Sequence, residues 1–276
     1  MIGRRWLWRL SRYGYYKARR DLLNNKIAVN GEADLQRRLA EHLASQSPRA
    51  ELVAIDVGAN LGEWTFCMLA AAREAGMSVF VHAFEPVPVV HEELVRRIAA
   101  DADSGNVLCI QKCLGSQIGT AEMQLSDGLA GSHSLVKKSE SGQTLEVPVT
   151  TIEEYCSKAG IEHVDLLKID AEGFDFEIIL GAVSLLREAR VGVLQFEYNH
   201  CWVESRRFLK DVFELASELD LAVAKLIPGG MEIFPVWHTE LERFIEGNYV
   251  LGKREHLEGL GAVSGSFDES NTYATR

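Results

Sequence analysis

From residue 51 onward the chain alternates short apolar runs with longer segments in which apolar positions recur every three or four residues. The runs Leu52 to Val57, Val79 to Phe84, Val107 to Gln111, Val164 to Ile169, Val191 to Phe196 and Leu221 to Ile227 are near-continuously apolar and predict strands. Between them, Trp64 to Glu74, Pro88 to Ala100, Phe174 to Glu188 and Trp202 to Glu218 carry the helical spacing. Strands of this kind alternating with helices predict a doubly wound α/β domain, a mostly parallel sheet covered on both faces.

Ahead of the alternation, Leu35, Leu39 and Leu43 place a helix over Ala33 to Ser45, ended by Ser47-Pro48. The stretch from about 113 to 149 interrupts the pattern. It is rich in Gly and Ser, and Ala121 to Leu125, Ser134 to Val136 and Leu145 to Val149 are short enough for hairpin strands, so it is an expected insertion at the mouth of the sheet. Thr151-Ile-Glu-Glu154 has capping-box spacing and marks a helix start. After Gly252 periodicity is lost and a mobile tail is expected. The expected organisation is a helical appendage over 1–48, one main domain over 49–252 and a tail over 253–276.

Length and composition narrow the class. The 276 residues, 47% hydrophobic and 25% charged, suit a globular chain with a sizeable core, and no run approaches the ~18 apolar residues of a membrane span. The five cysteines include no C-x-x-C pair, so neither a disulfide framework nor a zinc site is expected, and reduced thiols in a cytoplasm are. The net charge of −11 is unevenly spread. Residues 1–24 hold seven basic residues against the single acid Asp21, a net +6, so the remainder carries −17. Such an acidic body argues against broad nucleic-acid contact. The head mixes its arginines with Trp6, Trp8, Tyr13, Tyr15 and Tyr16. It reads either as a helix whose aromatics dock on the domain or as one that makes weak contact with an anionic membrane surface.

Ala54-Ile-Asp-Val-Gly-Ala-Asn-Leu-Gly-Glu63 carries the most chemistry. A strand ends on Asp56, and a turn containing Gly58, Asn60 and Gly62 opens a helix. Glycine allows close backbone approach to a ligand, Asn tolerates the left-handed region, and the helix N-terminus adds a positive dipole. In an open α/β sheet this turn lies where ligands bind, beyond the carboxyl ends of the strands. A dinucleotide fingerprint starting at Gly58 would need glycines where Asn60 and Glu63 stand, which disfavours a nicotinamide-dependent oxidoreductase, the alternative enzyme class. Asp56 instead suits a cationic amino-acid portion of the ligand. Glu85, before Pro86 at the tip of the second strand, is placed to accept hydrogen bonds from two ribose hydroxyls.

Together, Asp56-Val-Gly-Ala-Asn-Leu-Gly62, Phe84-Glu-Pro86, Leu167-Lys-Ile-Asp-Ala-Glu-Gly173 and Gln195-Phe-Glu-Tyr-Asn199 resemble the FkbM family of S-adenosylmethionine-dependent methyltransferases, over about residues 52–200. The resemblance implies a class I, Rossmann-like sheet of seven strands in the order 3-2-1-4-5-7-6 with an antiparallel last strand, supplied here by Glu246 to Gly252. It also implies O-methylation of a sugar, glycolipid or polyketide-type hydroxyl. The expected cofactor-binding set is Asp56, Gly58, Ala59, Asn60, Gly62, Glu85, Pro86, Cys113 and Asp170.

Side chains alternate on a strand, so Lys168 and Asp170 share one face of theirs, as do Gln195, Glu197 and Asn199 of the next. Methyl transfer from a sulfonium needs the acceptor oxygen held in line and its proton removed. Asp170 is the first candidate base, with His133 and Glu197 beside it and His200 further down the order. Asp170, Glu197 and Asn199 are oxygen donors of a kind that suits magnesium, but their spacing does not require a metal and none is expected. Acceptor choice is expected to lie in the 113–149 insertion and in Pro228 to His238, with Trp202 and Trp237 either stacking on a sugar or simply packing. A non-catalytic S-adenosylmethionine-binding module is the remaining alternative.

Overall fold

The computed structural model describes residues 2–21, 26–46, 51–124 and 144–275. In chain order the helices are Ile2–Ala18 (α1), Glu32–Gln46 (α2), Glu63–Glu74 (α3), Pro88–Ala99 (α4), Ile152–Ala159 (α5), Asp175–Leu180 (α6), Val183–Arg187 (α7), Trp202–Ser205 (α8), Leu209–Glu218 (α9) and Arg254–Gly259 (α10). The strands are Leu52–Val57 (β1), Val79–Phe84 (β2), Val107–Ile110 (β3), Cys113–Leu114 (β4), Gly119–Gln124 (β5), Thr144–Thr150 (β6), Val164–Ile169 (β7), Val191–Tyr198 (β8), Ala222–Ile227 (β9), Gly230–Phe234 (β10), Gly247–Gly252 (β11), Ala262–Phe267 (β12) and Tyr273–Thr275 (β13).

Ten strands form the main sheet, in the order β13-β12-β10-β9-β11-β8-β7-β1-β2-β3. From β3 to β8 the pairs are parallel, and β11 then runs antiparallel to both β8 and β9. The alternation of side chains makes two cores. Ile55, Val57, Leu167, Ile169, Leu194 and Phe196 meet α5, α6, α7 and α9 on one face. Leu52, Ala54, Leu166 and Val193 meet α2 and α3 on the other. The strands therefore read as apolar on both faces, and their tips are left for polar groups.

The sheet is larger than the seven strands expected. The segment after Gly252, expected to be a mobile tail, instead forms α10, β12 and β13. Leu257 and Leu260 are buried, and Phe267 and Tyr273 pack on Phe234 at centroid distances of 5.7 and 6.1 Å. Within Pro228 to His238, expected as a loop over the site, Gly230–Phe234 pairs with β9 as a hairpin strand.

Two expected helices are each broken in two. Between α6 and α7, a Cβ on Gly181 would lie 2.1 Å from the carbonyl oxygen of Gly115, so a close crossing with the insertion sets the break. Between α8 and α9, Arg206 is left-handed at φ 56° and the chain restarts at Leu209. The Thr151 capping box is half-formed. Thr151 accepts from the Glu154 amide at 3.0 Å, but the Glu154 carboxylate turns to Thr150 and Lys158. Of the insertion, β5 and β6 pair antiparallel and β4 joins β6. The expected strand Ser134 to Val136 lies outside the described residues.

Candidate functional site

The turn after β1 is held by backbone geometry. The amides of Gly58 and Ala59 both donate to the Phe84 carbonyl, at 3.0 and 2.9 Å, which ties the tip of β1 to that of β2. Gly58 has φ +74°, and a Cβ there would lie 1.9 Å from the Asp170 carbonyl oxygen, so only glycine lets the tips of β1 and β7 meet. Asn60 is left-handed at φ 49° and its amide donates to Glu85 Oε2 at 3.1 Å.

A cleft opens where these tips converge. One wall is apolar, with Val87, Val90, Cys113, Leu114 and Met123, and the other is polar, with Asn60, Glu85, Asp170 and Glu172. Glu85 is buried, and its other oxygen accepts from the Val87 amide at 2.9 Å. Burial pushes its pKa up to about 7 against the pull of those two amides. Each oxygen has one protein donor and a further lone pair for a ligand. Burial also raises the Cys113 thiol to about 12, so it serves as part of the apolar wall.

Behind the polar wall stands Lys168. Its ammonium lies 3.3 Å from Asp56 Oδ1 and 3.5 Å from both Asp170 Oδ2 and the Gly58 carbonyl. Burial by itself would lower the Lys168 pKa, but Asp56, Asp170 and Glu32 outweigh it and hold the group firmly cationic. Asp56, expected to meet the ligand's ammonium, does not line the cleft. It is fully buried, with Oδ2 taken by the Thr65 hydroxyl at 2.7 Å, and it acts on the site through Lys168. Its Oδ1 forms the ion pair without a well-aligned hydrogen bond.

Asp170 lines the cleft, with its side chain about one-third exposed. Glu197 does not. It is buried behind Asp170 and accepts from Asn199 Nδ2 at 2.9 Å, and burial together with nearby carboxylates pushes its pKa well up. Asn199 uses its own oxygen on the Cys201 amide at 2.8 Å, so it braces a turn. Gln195 stands beside Lys168 in the β7–β8 register and points toward α2, where it donates to Glu32 and Asn248. The five-residue polar cluster expected at the strand tips is thus divided among three settings. Among the described residues no group of three or more His, Cys, Asp or Glu could hold a metal ion. His133 lies outside the described residues, and His200 is exposed. Trp202 is fully buried with its Nε1 on the Glu197 carbonyl, and Trp237 donates to Glu242, so both pack rather than face the cleft.

Sequence reasoning missed three acids. Glu172, inside the Asp-Ala-Glu-Gly motif, lines the cleft at φ 50°. Asp175 receives the amides of Ala171 and Gly173, and burial raises its pKa to about 8; an acid at the start of a helix was the available signal. Glu32, the first residue of α2, accepts from Asn30 and Gln195 and adds to the charge that holds Lys168 cationic, without lining the cleft itself, and nothing local marks it.

The Methyltransferase FkbM domain family matches residues 56–223. The methyltransferase sdnD of Sordaria araneosa is 27% identical over 156 residues, 46% of this chain and 59% of that protein. Among solved structures, a methyltransferase FkbM from Methylobacillus flagellatus KT aligns with 15% identity and a TM-score of 0.47, covering 73% of this chain and 44% of the other. Cofactor-bound Rv0187 from MTB aligns with 14% identity and a TM-score of 0.45, covering 83% of each chain. The chain thus spans about half the length of the first two relatives. The family match takes in the glycine turn, Glu85, Lys168, Asp170 and Glu197, most of the cleft and its support, and the chain belongs to the FkbM family of S-adenosylmethionine-dependent class I methyltransferases.

Proposed function

We propose that this protein methylates a hydroxyl group of a sugar, glycolipid or polyketide-type acceptor, with Asp170 as the general base. The residues fit the cofactor. The apolar wall of Val87, Val90, Cys113 and Met123 suits a flat base, and Glu85 offers two acceptor positions to a ribose diol beside it. When bound, S-adenosylmethionine supplies an electrophilic methyl group on a sulfonium that is a good leaving group.

The chain's own part is positioning, water exclusion and proton removal. The observation that carries the reading is Asp170 itself, a part-exposed carboxylate on the cleft wall, with the Lys168 ammonium 3.5 Å behind it. Burial drives the pKa values of Asp175 and Glu197 upward, so the neighbouring buried carboxyls favour their protonated forms. Asp170 differs from both in lining the cleft.

A labelled-methyl assay across sugar, glycolipid, polyketide and peptide acceptors, with mass spectrometry of the product, tests the reading. Transfer to a hydroxyl by the wild type and its loss in Asp170→Asn are expected. Intact S-adenosylhomocysteine binding without transfer to any acceptor would instead favour a non-catalytic binding module.

A further inference from the structure

The basic head divides into two parts. Its C-terminal part is rooted in the domain. The Tyr15 hydroxyl donates to Glu240 at 2.6 Å, and Arg19 pairs with Asp21 at 2.6 Å, which also receives the buried Lys225 of β9. Arg20 reaches the fully buried Glu232 at 3.1 Å. These contacts satisfy charge inside the protein.

The N-terminal part is different. Arg4, Arg5, Arg9 and Arg12 have no acidic partner among the described residues, and α1 contains no acid of its own. At 100° per residue, Trp6, Leu7, Leu10 and Tyr13 fall on one side of the helix, and these four arginines fall on the other together with Trp8. The aromatics were expected to dock on the domain, yet Trp6 is 64% exposed, Leu7 58%, Leu10 49% and Tyr13 51%. Elsewhere exposed large apolar side chains are scattered, which is normal; here they are contiguous. A helix with Gly3 and Gly14 and little packing is marginal in water, so a surface to lie on would stabilise it.

Charge selects the occupant. Unpaired arginines complement anionic lipid headgroups, and Trp, Tyr and Leu on the opposite side suit the boundary between headgroups and acyl chains. No helix among the described residues is long and apolar enough to cross a membrane. We propose that α1 lies in the headgroup layer of an anionic membrane, inserting Trp6, Leu7, Leu10 and Tyr13, while the contacts from Tyr15 to Asp21 fix the domain to it. This docking surface does not depend on the reaction assigned to the cleft.

The test is co-sedimentation of the full chain with phosphatidylcholine vesicles and with vesicles containing one part in three of phosphatidylglycerol. Binding to the mixed vesicles is expected, weakening with salt, with little binding to phosphatidylcholine alone. Removing two arginines (Arg4→Gln with Arg9→Gln) should weaken it roughly 30-fold, and Trp6→Ser with Leu10→Ser at least about tenfold. Both variants should keep the wild-type unfolding temperature, because these side chains lie outside the core. Absence of wild-type binding at millimolar anionic lipid would overturn the proposal, as would binding that neither variant changes. A dimer in sedimentation equilibrium that Trp6→Ser abolishes would assign the stripe to a second copy of the chain, and displacement from vesicles by equimolar single-stranded RNA would assign it to nucleic acid.

Discussion

Glu85 and Glu242 each brace the start of a helix, and they differ in what capacity remains. Glu242 accepts from the Tyr198 hydroxyl and the Leu209 amide on one oxygen, and from the Lys210 amide and Trp237 Nε1 on the other, at 2.5 to 2.9 Å. Its four lone-pair positions are filled. Glu85 is buried beside a cleft and has a single backbone donor on each oxygen. The saturated carboxylate joins β8, α9 and the segment before β11, whereas the half-saturated one faces the cleft with lone pairs to spare. Remaining hydrogen-bonding capacity, more than burial, separates a binding group from a structural one.

The largest effect that sharpens this contrast is at the cleft itself. Asp170→Asn should lower kcat by about a thousandfold, as loss of a general base does, while calorimetric binding of S-adenosylhomocysteine changes by no more than a few-fold. Next is Glu242→Ala. It strands two helix-start amides, the Tyr198 hydroxyl and the Trp237 indole N–H, and should cost about 3 kcal/mol in urea unfolding. The remaining folded protein should bind S-adenosylhomocysteine with unchanged affinity. A loss under about 1 kcal/mol would break the comparison.

The third effect depends on pH. The folded pKa of Glu85 is raised from 4.5 to about 7, mainly by burial. Its protonated form therefore favours the folded state, and that contribution is fully present below about pH 4.5 and lost as pH rises through about 7. Over that window it amounts to roughly 3 kcal/mol. Glu85→Gln should flatten this part of the stability profile in chemical denaturation. The smallest effect is on binding: Glu85→Ala should weaken S-adenosylhomocysteine about 10- to 100-fold, the worth of hydrogen bonds to a charged acceptor. An unchanged affinity would place Glu85 with Glu242 as a purely structural carboxylate.

Legibility followed the range of the interactions. The glycine turn and the acid at the tip of the second strand are legible because a strand end followed by Gly or Pro is marked by a few consecutive residues. The family match over residues 56–223 rests on the same segments. Asp56 stands at the strand end that the sequence indicates, but its contacts are internal. Its side chain meets Lys168, more than a hundred residues along the chain, and the register of β1 against β7 is what pairs them. Gln195 shares the face of Lys168, as alternation along the strands predicts, but it is spent on Glu32, which α2 brings to that face from a distant part of the chain. The extra strands were missed because Gly and Ser dilute the apolar pattern of β12, which gains its order by pairing with the free edge of β10.

By itself the sequence determined the alternation of strand and helix, the glycine-bearing turn that follows the first strand, and the acids at the strand tips. These follow from side-chain periodicity and backbone sterics, which act over a few residues. Only the tertiary structure decided which acids retain capacity for a ligand, which are saturated, and which arginines of the head are buried in ion pairs. Those outcomes depend on partners far apart in the chain, and burial makes the presence or absence of each partner energetically decisive.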